Sequence, residues 1–147
     1  MDYILASLFA LMVGAFAAHY HRLTARAQAL SVVHTRLVQA LNAHSTAIAS
    51  SAQANPHLHF PVQNLLRKLR AIQTLGLPAV DQHMDAYDAL WSIYHQNAPQ
   101  EILEQHDHLQ ALKMEYNRTA FAYNDCQRSA LQSRMASLFG HTMAPPC

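Results

Sequence analysis

Apolar side chains fill the opening of the chain almost without interruption and thereafter recur in threes and fours. Tyr3 to Ala18 (YILASLFALMVGAFAA) holds no charge, and His19-Tyr20-His21-Arg22 then turns polar. Sixteen helical residues reach roughly 24 Å, short of the ~30 Å hydrocarbon core, whereas Met1 to Tyr20 reaches about 30 Å. The pattern predicts a membrane-spanning helix, with Tyr3 and Tyr20 at the two interfaces and Arg22 able to snorkel. Beyond it, Leu23, Ala27, Leu30, Val33, Leu37, Leu41, His44 and Ile48 keep a helical period with no Gly or Pro between them. Anchor and first body helix should form one rod ending near Ser50-Ser51.

Three further helices follow from the breakers. Asn55 to Phe60 reads as a loop, and Pro61 can open the second helix because its missing N–H is not needed there. That helix turns Val62, Leu65, Leu66, Leu69 and Ile72 inward, leaves Arg67, Lys68 and Arg70 outside, and stops at Gly76. Pro78 starts a third, with Val80, Met84, Tyr87, Trp91 and Tyr94 on one seam. Asn97 is an N-cap candidate for a fourth, with Gln100 three residues later and Glu101 near the positive helix end. Its stripe is Ile102, Leu109, Leu112, Tyr116, Thr119, Tyr123, Cys126 and Ala130, and Gly140 caps it after about Phe139. The expected fold is all-α: an N-terminal membrane helix continuous with the first helix of an antiparallel four-helix bundle. The divisions are 1–22 for the anchor, 23–140 for the bundle and 141–147 for a flexible tail, in which Cys147 is exposed by position.

The flanks of the apolar run set its fate. Ala15-Phe16-Ala17 resembles a small-x-small cleavage site, which would release a secreted adaptor, but Met1-Asp2-Tyr3 offers an acid where a signal peptide needs a base. Retention as a single-pass anchor is the reading taken. Arg22 and Arg26 follow the run, which places the body on the cytoplasmic side of the inner membrane. Ala6, Ala10, Gly14 and Ala18 recur every four residues, a small-residue stripe through which the helix could pack on itself or on other membrane proteins. Simple alanine richness of an apolar anchor is the alternative.

Composition removes most chemistry. The 147 residues carry ten Lys+Arg against nine Asp+Glu, too balanced to wrap nucleic acid. Three glycines cannot build a phosphate loop, dinucleotide fingerprint or nucleophile elbow. Two cysteines make no disulfide scaffold. Charge divides along the chain: residues 1–70 hold six bases and one acid, residues 71–147 four bases and eight acids. The basic half could lie near anionic lipid head groups. Eleven histidines raise a metal- or haem-binding alternative. His19/His21 and His106/His108, two apart on helices, point about 200° away from each other, so only His57/His59 in the proline-bounded loop could converge, and two ligands are too few for zinc. His44 could ligate a haem or be a hydrogen-bonded core residue. The three glutamates, Glu101, Glu104 and Glu115, sit on one helix, which rules out the usual di-iron set. Glu104 and His108 share a face as a surface pair, and Cys126 falls on an inward stripe where thiols are inert. No enzyme, cofactor or metal site is expected.

The fourth helix holds Tyr116-Asn117 and Tyr123-Asn124, two Tyr-Asn pairs seven residues apart, followed by an apolar-rich run to Leu138-Phe139-Gly140. This resembles the LemA family, whose last helix carries a Tyr-Asn, five residues, Tyr-Asn pattern and a Gly-Phe-like terminus, here inverted. Ala29 to Leu37 can be laid on the family's first-helix pattern, with Leu30 in place of its Trp and His34 in place of its Asp. The resemblance implies a bacterial membrane-anchored helical bundle with a cytoplasmic body and no catalytic residues to transfer. From the residues alone, Tyr116 and Tyr123 should bury their rings while each hydroxyl finds a partner, with Asn117 and Asn124 at the edge of the seam.

Overall fold

The computed structural model describes residues 2–53, 56–73, 80–128, 137–138 and 140–147. Among them stand four α-helices and no strand: α1 (Asp2–Ala52), α2 (Pro56–Gln73), α3 (Val80–Tyr94) and α4 (Gln100–Gln127), with a 3-10 turn at His95–Asn97. The all-α fold expected from periodicity is the observed one. No Gly-Pro break interrupts the 51 residues of α1, which runs for about 77 Å as a single rod. Its two parts differ in composition and in what surrounds them. From Tyr3 to Phe16 every large apolar side chain is 43–90% exposed, while from Leu23 onward one stripe (Leu23, Leu30, Val33, Leu37, Leu41, His44, Ile48) is buried. The opening is therefore a candidate membrane-spanning helix, with mean hydropathy 1.6 over its most apolar window and none of that window covered by the body.

α1 packs chiefly on α4, and α2 on α3. The first pair is antiparallel: Arg26 of α1 donates to the Ala122 carbonyl near the end of α4, and His44 bonds the Ile102 carbonyl near its start. The core between the helices is filled by Val62, Leu66 and Leu69 of α2, Met84, Tyr87, Leu90 and Tyr94 of α3, and Leu109, Leu112, Tyr116 and Ala120 of α4. Arg67, Lys68 and Arg70 lie outside as the period required. Leu90 is buried more deeply than its expected neighbour Trp91, which lies half-buried against α4, and Ala120 rather than Thr119 faces inward. The Thr119 hydroxyl instead bonds back to the Glu115 carbonyl.

Several expectations at the helix ends need correction. α2 begins at Pro56, not Pro61, so the first proline takes the helix-opening role and Pro61 lies inside the helix, where it forgoes one backbone hydrogen bond. His57 and His59 therefore sit on exposed positions of a helix and not in a loop. Asn97 belongs to the 3-10 turn and does not cap α4. That end is satisfied by main chain, the Pro99 carbonyl accepting from both Ile102 and Leu103 N–H. α4 closes at Gln127, earlier than the expected Phe139, with Arg128 N–H donating to the Asp125 carbonyl. Gly140 does take the left-handed conformation, at φ 71°, where its N–H bonds the Ser137 carbonyl. Gly76, Pro78, Ala130 and Phe139 lie outside the described residues, as does the side chain of Ile72.

The expected loose tail is not seen. Residues 141–147 lie back along α4 and α1, with Ala144 5% exposed and half-buried Cys147. A cavity left by Leu41→Ala in α1 should lower unfolding free energy by about 2–5 kcal/mol. Phe9→Ala, on the uncovered part of the same helix, should change it by less than about 0.5 kcal/mol; urea melts followed by helical circular dichroism in detergent measure both.

Candidate functional site

Seven residues of helix advance about 10.5 Å and return to nearly the same face, so Tyr116 and Tyr123 are stacked along α4, as are Asn117 and Asn124. The tail supplies a matching ruler. Pro145 and Pro146 fix their own φ near −65° and push Ala144 and Pro145, each preceding a proline, into extended conformation. An extended polyproline-like segment rises about 3.1 Å per residue and repeats its face every third, so Ala144 and Cys147 face the same way roughly 9.3 Å apart. Each asparagine meets one of them. The Asn124 side chain accepts the Ala144 N–H at 2.9 Å and donates to the Ala144 carbonyl at 2.8 Å. Asn117 does the same for Cys147, accepting its N–H at 2.8 Å and donating to its main-chain oxygen. Pairing a donor and an acceptor on one residue fixes which way each amide points.

The tyrosines complete the ladder. Tyr116, fully buried, donates its hydroxyl to the Pro145 carbonyl at 3.0 Å, and Tyr123 shares a 3.2 Å hydrogen bond with His141 Nδ1. Burial pushes the Tyr116 hydroxyl up to about 12, so it remains a donor through the neutral range. Gln127, one turn further on, reaches the Thr142 carbonyl at 3.4 Å. At Ala144, Pro145, Thr142 and Cys147 the tail is held through its backbone. Its Cys147 thiol, which position alone suggested was open, is pushed up to about 11 mainly by burial and so stays protonated. Beneath residues 140–145 a half-open cavity of about 600 Å³ remains, with Ala27 and Leu30 of α1 and Tyr123 of α4 along its wall.

A second cluster lies inside the bundle. His44 on α1, Tyr87 on α3 and His106 on α4 join through the Tyr87 hydroxyl, at 2.8 Å from His44 Nδ1 and 2.7 Å from His106 Nδ1. The partners dictate the protons. His44 Nε2 is 2.9 Å from the Ile102 carbonyl and must donate to it, which leaves Nδ1 to accept from Tyr87. The Tyr87 oxygen in turn accepts from His106 Nδ1–H, and His106 Nε2 accepts from the Gln110 amide at 3.3 Å. Both histidines are neutral in this chain of four hydrogen bonds. Trp91 stacks on His106 with ring centroids 3.9 Å apart and planes 7° apart. Burial is the main cause that holds both histidines below the ordinary 6.5, and it raises the Tyr87 hydroxyl.

Among the described residues no group of three or more His, Cys, Asp or Glu could hold a metal ion. Both nitrogens of His44 are engaged, Glu104 and His108 line a shallow cleft between α1 and α4, and Cys126 is half-buried. On the uncovered opening of α1, Ala6, Ala10, Gly14 and Ala18 are all exposed, and a Cβ added at Gly14 would meet nothing within 4 Å. His106 was not among the inward residues read from the sequence. The seven-residue gap between Ile102 and Leu109 in the α4 stripe is the signal for it, since a helix facing a core needs an inward side chain there. Nothing in the sequence pointed to the asparagine clamp on the tail.

The histidines give stability a pH dependence with a definite sign. His34, His44, His83 and His106 all have lowered values in the folded chain, burial coming first in each. The unfolded chain thus binds protons first as pH falls through about 6.5, so stability should drop below that pH and level off once the folded-state values are passed. Thermal melts should show a lower Tm at pH 5.5 than at pH 7.5. Tyr87→Phe, which strands both Nδ1 atoms, should cost about 1–3 kcal/mol at pH 7.5 in the same melts. Compared with family models, curated proteins and solved structures, the chain matches none of them.

Proposed function

We propose that this chain is a single-pass inner-membrane protein whose cytoplasmic helical body is an interaction or scaffolding module of the LemA kind, without catalytic activity. The observation that carries the reading is the unbroken passage, within α1, from an uncovered apolar segment to a packed stripe. An apolar surface of that size is unfavourable in water and favourable in lipid. A rigid stalk then holds the bundle at a fixed height above the bilayer, which suits presenting a surface to neighbours. Arg22 and Arg26, just beyond the apolar run, favour a cytoplasmic body, and Arg22 can meet anionic head groups while Arg26 is bonded to the Ala122 carbonyl. The small stripe of Ala6, Ala10, Gly14 and Ala18 is open for a second helix, from another copy or another membrane protein.

The alternative, a histidine-based metal or haem carrier, would have to break existing hydrogen bonds. His44 spends one nitrogen on the Ile102 carbonyl and the other on Tyr87, while His57 and His59 lie two apart on a helix. Stoichiometric iron or zinc in purified protein would restore that alternative.

Carbonate-washed membranes should retain the chain, and protease added to spheroplasts should spare the body and cut it only after the membrane is opened. A mature N-terminus beginning after Ala17 would overturn the anchor. Ala10→Ile with Gly14→Ile should abolish cross-linking in the bilayer; undiminished cross-linking would remove the stripe from the proposal.

A further inference from the structure

The ladder on α4 treats the tail as a ligand. Two asparagines at helical spacing seven bind the main chain of two residues at extended spacing three, and Tyr116, beside the first of them, donates to the carbonyl of the first proline. Because the backbone carries these contacts, the site asks of its occupant an extended x-Pro-Pro-x shape and little else. The occupant present does not fill the space. Ala144 lines the half-open cavity of about 600 Å³ against Ala27, Leu30 and Tyr123, a volume within the range of sites that accept a ligand. Thr142 and Ala144 have too few carbons to fill it.

We propose that the groove between α1 and α4 is a binding site for a proline-containing extended segment of another polypeptide, with a larger apolar side chain at the position of Ala144, and that the chain's own tail is a built-in competitor that such a segment displaces. This rests on the interaction-module reading and names the partner's chemistry. A larger residue gains apolar burial in the cavity without disturbing the clamp, whereas the tail holds its place through tethering, which gives it a high effective concentration. The groove is thereby closed to weak ligands and open to well-fitted ones.

The test uses the full chain in lipid nanodiscs under reducing conditions. The probes are fluorescein-labelled heptapeptides copying residues 141–147, one unchanged and one carrying Ala144→Leu. Ala144→Asp in the protein unlatches its own tail, because a carboxylate cannot rest in that apolar seat. Fluorescence anisotropy should show saturable binding to the unlatched chain, about tenfold tighter for the Ala144→Leu peptide than for the unchanged one, and weaker binding of both to wild type. Asn117→Ala with Asn124→Ala should weaken binding at least about tenfold. Asn124→Asp, which keeps the size and the acceptor but removes the donor, gives the same direction if the alanine pair unfolds. No saturation on the unlatched chain, or affinity indifferent to the asparagines, overturns the proposal. So does a wild-type dimer dissolved by Ala144→Asp with no peptide uptake, which would make the occupant a second copy's tail. Membrane partners whose capture survives the asparagine substitutions would sink the groove and leave the interaction-module reading standing.

Discussion

The seam between α1 and α4 is the contact on which the rest of the molecule depends. α1 alone joins the uncovered apolar segment to the body, and α4 is the helix it packs against most extensively. At one end of the seam Arg26 donates to the Ala122 carbonyl, near the electronegative end of α4. At the other His44 takes the Ile102 carbonyl in the first turn. Between them Leu30, Val33, Leu37 and Leu41 of α1 and Leu109, Leu112 and Tyr116 of α4 belong to one buried apolar core. A hinge anywhere along α1 would uncouple the body from the uncovered apolar segment, and no Gly or Pro that would make one occurs between Gly14 and Ala52.

The same seam supplies both candidate sites. Toward the uncovered end of α1 it opens into the groove that takes the tail, with Ala27 and Leu30 of α1 along the wall, Tyr116 and Tyr123 buried, and Asn117 and Asn124 half-buried at the edge. Away from the uncovered segment it closes over His44. The two places solve opposite problems with polar groups. In the groove, amide side chains at the edge of the core satisfy the backbone of a segment that has no helix or sheet to satisfy it. In the bundle, Tyr87 ties three helices together by accepting from one histidine and donating to another, so a buried polar set is left with its hydrogen bonds made. The first arrangement holds main-chain atoms of an extended segment, and the second is specific to these side chains.

The helices were legible because their signal is local. Threes and fours along Leu23 to Ile48 and Val80 to Tyr94 predict the buried faces with few misses, and an uninterrupted apolar run predicts the uncovered segment. Boundaries were less legible where two residues competed for one role. Pro56 and Pro61 can each open a helix, and Asn97 and Pro99 can each precede one; tertiary packing of Leu58 and of Ala98 against the core accompanies the earlier start in one case and the later in the other. Trp91 and Leu90 lie on adjacent sides of the same stripe, and only the position of His106 across the way decides that the indole stacks while the leucine is buried.

What the sequence determined by itself was the set of helices, the anchor-like opening and the repeated Tyr-Asn pair, since each depends on residues within a turn or two of one another. What only the tertiary structure decided was the use of that pair. Asn117 and Asn124 meet residues twenty to thirty positions away, through main-chain atoms that every residue possesses, so their partners leave no mark in the side-chain pattern. The proton order of His44, Tyr87 and His106 is likewise fixed only when three helices converge, because each ring accepts or donates according to what stands opposite it.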